Sequence, residues 1–107
     1  VFFSLAEDGP LAYRSKLPVV AWARELCDAG LPAVVSHHAG IYVCNAALYW
    51  THHILSQTGR SARAGFIHVP LDPSQLDGDA ETPSLPAIAS ASALRYILEH
   101  VNRNSPA

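Results

Sequence analysis

The chain has no methionine, only two cysteines, and little charge: 15% of its 107 residues are Asp, Glu, Lys or Arg. Each scarcity closes off a reading. There is no initiating methionine, and the apolar opening Val1-Phe2-Phe3-Ser4-Leu5-Ala6 lacks a basic flank. It therefore reads as part of a longer chain rather than as a signal peptide. Cys27 and Cys44 are too few for a disulfide framework, and a reducing, cytoplasmic setting is expected. A net charge of -2 gives no electrostatic reason to expect nucleic acid or an anionic membrane as partner. No stretch has the length and purity of a membrane-spanning helix, and there is neither an internal repeat nor a low-complexity segment.

What is present is apolar: half of all residues, enough for one small domain or part of a larger one. Val1 to Leu5 reads as a short strand, followed by the turn Glu7-Asp8-Gly9-Pro10. Pro18 suits the first turn of a helix running to about Ala29, with Gly30 just past its end and Pro32 blocking continuation. The apolar face of that helix is Val19, Ala23 and Leu26, extended by Trp22 and Cys27. Ala33 to His38 is β-branched and apolar enough for a strand buried on both faces. A second helix is expected from Cys44 to about Thr58, ended by Gly59, and a third strand from Gly65 to Val69. The polar run from Pro70 to Pro83 reads as a mobile loop. Ser84 is the expected N-cap of a last helix, with Pro86 in its first turn and Ile88, Ala91, Leu94, Leu98 and Val101 as its buried stripe. The order β-α-β-α-β-α predicts an α/β sandwich with a mostly parallel sheet. Three strands are few for such a sheet, a second sign of a missing first half.

The chain centres on Ser36-His37-His38-Ala39-Gly40-Ile41-Tyr42-Val43-Cys44-Asn45. Strand, tight turn and helix follow one another here, with a thiol at the helix opening. The first N–H groups of a helix lack intrahelical partners and carry partial positive charge, which favours a thiolate. His68, near the end of the next strand, is placed by a βαβ unit at the same carboxyl edge of the sheet. The expected pair is Cys44 as nucleophile and His68 as general base, with the Cys44 backbone N–H as oxyanion donor. A plain structural reading stands beside it, since a lone cysteine is often a small core residue and a lone strand histidine often a satisfied one. Tyr42 and Val43 have two roles open to them: packing, or lining the pocket beside the thiol. Asn45 either caps the helix or holds the turn, and Cys27 reads as core. None of the acidic residues recommends itself as the group that orients the histidine.

Six histidines invite a metal reading. Adjacent residues on a helix point about 100° apart, so His52 and His53 do not share one ion easily. Neither a CxxC nor an HxxxH spacing occurs, and no metal or cofactor is expected.

The stretch from Ser36 to Asn45, followed by Ala64-Gly65-Phe66-Ile67-His68-Val69-Pro70, closely resembles the pyroglutamyl-peptidase I (pyrrolidone-carboxylate peptidase) family. Gly9-Pro10-Leu11-Ala12-Tyr13, Ser15 to Pro18, Gly30-Leu31-Pro32-Ala33 and Pro83-Ser84-Leu85 resemble it too, so the likeness covers nearly the whole chain. It implies a cytosolic cysteine peptidase that removes an N-terminal pyroglutamyl residue from a peptide substrate. It implies Cys44 as nucleophile, His68 as base, a three-layer α/β/α sandwich and, often, a homo-oligomer. The family's third catalytic residue, a glutamate, aligns upstream of Val1, as does the segment that walls the lactam pocket. Residues 1–107 are thus expected to be the C-terminal half of one peptidase domain, inactive alone. Where the family commonly has Tyr-Thr, this chain has His37-His38.

The alternative, from another class, is a non-catalytic α/β binding module. The missing-half reading also predicts exposed apolar surface along a sheet edge or helix face.

Overall fold

The computed structural model describes residues 5–79 and 81–102. They form three α-helices: α1 (Val19–Asp28), α2 (Val43–Gln57) and α3 (Ala87–His100), with a 3₁₀ turn at Pro73–Gln75. The chain divides into two compact units, one drawing on Val1–Leu17 and Ser36–Phe66, the other on Pro18–Val35 and Ile67–Ala107.

Glycine ends α1 and α2 as expected, and by the same device. Past α1, Gly30 takes φ +88°. Its N–H donates to the Cys27 carbonyl at 3.0 Å, and the Leu31 N–H donates to the Leu26 carbonyl at 2.9 Å. Past α2, Gly59 takes φ +66°, and the Arg60 N–H reaches the Leu55 carbonyl at 3.2 Å. Both are Schellman closures, which satisfy carbonyls the helix leaves open.

In the first unit Ala6, Ala39 and Tyr49 are buried. The Tyr49 hydroxyl donates to the Pro10 carbonyl at 2.6 Å, and its ring meets Tyr13 edge-on with centroids 5.0 Å apart. Tyr13 in turn is hydrogen-bonded to Nδ1 of His53 at 2.7 Å. Gly9 lies so close to the Tyr49 hydroxyl and the Ala6 side chain that no Cβ fits there. Ser15 Oγ donates to the Ala64 carbonyl at 2.6 Å, and a Cβ on Gly65 would come within 2.6 Å of Leu17 Cδ1. Ser15, Leu17 and Gly65 together fasten the residues after α2 to those before α1.

In the second unit α1 packs on α3. Trp22 and Leu26, one turn apart, are buried, as is Ser90 of α3. The Tyr96 hydroxyl donates to the Glu25 carboxylate, and the Tyr96 ring stacks on His100. The buried side of α3 is not the expected stripe. Ala89, Ser90, Ala93, Tyr96, Ile97 and His100 turn inward, while Ile88 is 79% and Leu98 74% exposed. Small residues at 89, 90 and 93 let the helices approach, and the Glu25 carboxylate gives Tyr96 a partner.

Three further expectations are corrected. Ser84 does not cap α3; Pro86 holds the N-cap position, and the Ala87 N–H donates to Oδ1 of Asp72 at 2.8 Å. The run after Pro70 is not loop throughout: Asp72 and Gln75 close a capping box around a 3₁₀ turn, Leu71 bridges Ser84 in parallel, and the Leu85 N–H meets the Leu71 carbonyl at 2.9 Å. Cys27 is exposed rather than core, its thiol donating to the Ala33 carbonyl at 3.2 Å.

The expected sheet is also missing from the described residues, where the Leu71–Ser84 bridge is the one β pairing. A strand is made by its neighbour, since backbone polar groups need ladder partners. Around Val34, 90% exposed, and Ile67, 48% exposed, no ladder partner is present among the described residues. The expected strand at Val1 to Leu5 lies almost wholly outside them.

Apolar surface is left open on helix faces. On α2, Val43, Trp50 and Ile54 share an exposed stripe; on α3, Ile88, Leu94 and Leu98 do the same. Helices apolar on two sides are those covered on both, and the exposed helix faces agree with the expectation from sequence.

Candidate active site

Local bonds shape the turn before α2. Ser36 Oγ donates to the His38 carbonyl at 2.6 Å, and Nδ1 of His38 accepts the Gly40 N–H at 3.1 Å. Gly40 sits at φ +95°, a left-handed conformation that a Cβ disfavours, although the space around it is open. The glycine is required by the bend, not by crowding. Ala39, 7% exposed, anchors the turn in the unit, while His37 and His38 are exposed.

From Gly40 the chain runs through Ile41 into Tyr42, the extended N-cap residue of α2, with φ -119° and ψ -151°. Val43 is therefore the first helical residue and Cys44 the second. The Tyr42 carbonyl accepts the N–H groups of Asn45 at 3.1 Å and Ala46 at 3.3 Å. Those of Val43 and Cys44 have no partner among the described residues, and no side chain caps the helix. Asn45 is exposed and makes no cap; Ser36 and His38 hold the turn instead. The thiol of Cys44 is half-buried, and Tyr42 and Val43 beside it are 80% and 79% exposed. A half-buried sulfur beside open N–H donors and two exposed apolar side chains suits attack on a carbonyl and stabilisation of the resulting oxyanion.

His68 belongs to the second unit, in the irregular run that follows Gly65, and is exposed. Ala64 and Gly65 are fixed in the first unit by Ser15 and Leu17; Leu71, three residues past His68, is fixed in the second by Ser84 and Leu85. Cys44 lies in the first unit and His68 in the second. Among the described residues no three His, Cys, Asp or Glu side chains gather to hold a metal ion. Sequence reasoning passed over Ser36 and His38, which brace the turn, and Ser15, which braces the segment before His68. The signal available for Ser36 was a serine two residues from a bend, a pattern that closes local backbone turns; the bond of Ser15 to a carbonyl 49 residues away has no such signal.

One comparison decides the family: the pyroglutamyl peptidase profile matches residues 4–104, almost the whole chain. The chain belongs to the pyroglutamyl peptidase family. A pyrrolidone-carboxylate peptidase of Clostridium perfringens is 44% identical over 82 residues, covering 77% of this chain and 38% of that protein. The corresponding protein of Bacillus cytotoxicus is 38% identical over 95 residues, covering 89% of this chain and 44% of its own. Among solved structures, the pyrrolidone carboxyl peptidase of Thermococcus litoralis superposes with a TM-score of 0.85 at 37% identity, over 92% of this chain and 47% of that one. That of Fervidobacterium islandicum gives 0.84 at 32% identity. These peptidase structures are α/β, and this member of the pyroglutamyl peptidase family shares their fold over its matched length. The chain spans less than half the length of the curated relatives it matches.

Proposed function

We propose that this chain carries the nucleophile and the general base of a cysteine exopeptidase that removes N-terminal pyroglutamate from peptides. The observation that carries the reading is the placement of Cys44 in the first turn of α2, behind the glycine bend, in a chain of the pyroglutamyl peptidase family. In this reading His68 takes the Cys44 proton, and the sulfur attacks the carbonyl carbon of the pyroglutamyl residue. The oxyanion is met by the open N–H groups at the start of α2. The imidazolium then protonates the leaving amine, the peptide departs, and water, deprotonated by His68, hydrolyses the thioester to pyroglutamate and free thiol. Tyr42 and Val43 supply apolar wall beside the lactam ring. A glutamate encoded upstream of Val1 orients His68.

The same reading makes residues 1–107 the C-terminal half of one domain. Residues upstream complete a three-layer α/β/α sandwich, supplying ladder partners to the runs around Val34 and Ile67 and covering the open helix faces. The protein works in the cytoplasm on a peptide, as a homo-oligomer, with no cofactor. The relatives' extra length and the exposed apolar stripes support the reading of residues 1–107 as part of a larger domain. The test is Cys44→Ser in the full-length protein, assayed by release of amine from a pyroglutamyl amide. The expected outcome is complete loss with an unchanged melting temperature; surviving activity overturns the assignment.

A further inference from the structure

A cleft of about 300 Å³ lies in the first unit beside the C-terminal half of α2, away from Cys44 along that helix. Its lining includes Arg14, Lys16, Arg60 and Arg63, four of the chain's seven Lys and Arg residues. No acidic side chain lines it, and the unit's sequence holds only two carboxylates, Glu7 and Asp8. The cations arrive from two distant segments. Residues 13–17 alternate, with Tyr13, Ser15 and Leu17 half-buried and Arg14 and Lys16 outward, as an extended run does. The Ser15 bond to Ala64 and the seat of Leu17 against Gly65 bring that run alongside Arg60 and Arg63.

Arg14, Lys16 and Arg60 in one concave place repel one another and raise a local field that draws anions. His52 adds a second feature. Its ring stacks on Tyr13, with centroids 5.7 Å apart and planes at 13°, and its Nε2 is buried without a partner among the described residues. Such a ring nitrogen in a polar cleft wants a hydrogen-bond partner. The C-terminal end of α2 opposes an anion with about half a negative charge, which Arg14, Lys16 and Arg60 outweigh.

We propose that this cleft binds a small, multiply charged oxyanion of the phosphate class, such as a phosphate or diphosphate group. The volume stands at the lower end for ligand pockets and suits a compact ion rather than a polymer. Arg14 and Arg60 offer planar donor pairs to its oxygens, Lys16 a point charge, and Ser56 and His52 neutral hydrogen bonds. The proposal is independent of the peptidase reading, because none of these residues serves the Cys44 chemistry.

The test titrates the full-length protein with inorganic phosphate and with pyrophosphate at constant ionic strength set by sodium chloride. Melting temperature and the imidazole resonances of His52, assigned through His52→Gln, are followed together. The expected result is saturable binding that raises the melting temperature, pyrophosphate tighter than phosphate, with His52 resonances shifting in step. Arg14→Gln with Lys16→Gln should weaken binding at least tenfold and, by relieving the repulsion, should not lower the melting temperature in chloride alone. A single Arg60→Gln provides a second reading should the double variant fold poorly. No effect beyond chloride, an unmoved His52, or affinity that survives these substitutions would overturn the proposal.

Discussion

The carboxylate of Asp72 receives the N–H of Ala87, fifteen residues further on, at 2.8 Å. The same carboxylate accepts the Ser74 N–H and hydroxyl, so one side chain caps both the 3₁₀ turn and α3. The Ser74 and Ala87 donors hold its pKa below the usual value of 3.8. A depressed folded value means stability that is present above pH 3.8 and lost as pH falls through that lower value. Asp72→Ala should therefore lower the melting temperature at neutral pH, speed amide exchange at Ala87, and flatten the acid limb of the stability curve. An unchanged exchange rate at Ala87 would show that the cap does not hold the helix.

Burial lowers the pKa of His52 below its ordinary 6.5. Here the unfolded chain binds the proton more readily than the folded one, so stability falls as pH drops from above 6.5 towards the folded value, and is level above it. The slope from one proton is at most about 1.4 kcal/mol per pH unit, and less for a ring that is only partly buried. Urea midpoints of the full-length protein between pH 5 and 8, compared with those of His52→Gln, should show this slope in the parent and not in the variant.

Ser90 is buried on α3, and its hydroxyl has no hydrogen-bond partner among the described residues. A polar group left unsatisfied costs desolvation energy, and serine is a weaker helix former than alanine. Ser90→Ala should stabilise the protein by about 1 kcal/mol in chemical denaturation, with no change in the slope of the unfolding transition. A loss of stability would mean that the hydroxyl has a partner in the full-length protein.

The parts of the fold legible in the sequence are those decided within a few residues. Gly30 and Gly59 announce helix ends because a left-handed residue is needed there, and Pro18 marks the entry to α1 because its ring prevents nothing at a helix start. What depends on distant residues was misread. Ser84 has the chemistry of a cap, but Asp72 reaches Ala87 first. The stripe Ile88, Ala91, Leu94 and Leu98 has helical spacing, yet the side that Tyr96 turns inward is held by Glu25 on another helix. The strand patterns at Ala33 to His38 and Gly65 to Val69 find no ladder partner among the described residues. The glycine bend and the helix opening at Cys44 were legible because both are local. Where a residue such as His68 lies is a matter of topology, and local pattern does not specify it.

Cys27 and Cys44 make an internal comparison of thiol chemistry. Cys27 is exposed, and its sulfur donates to a carbonyl; Cys44 is half-buried at a helix N-terminus with open N–H groups nearby. If access alone governed alkylation, Cys27 would react first. If Cys44 is a peptidase nucleophile, the order reverses, because the thiolate is the reacting species and a helix start together with an imidazole favours it. Brief treatment of the full-length protein with iodoacetamide near neutral pH, read by peptide mass, should label Cys44 at least tenfold faster than Cys27. His68→Ala should remove most of that advantage, since it deletes the base while leaving the helix start intact. Faster labelling of Cys27, or a Cys44 rate indifferent to His68, would favour the non-catalytic module over the peptidase.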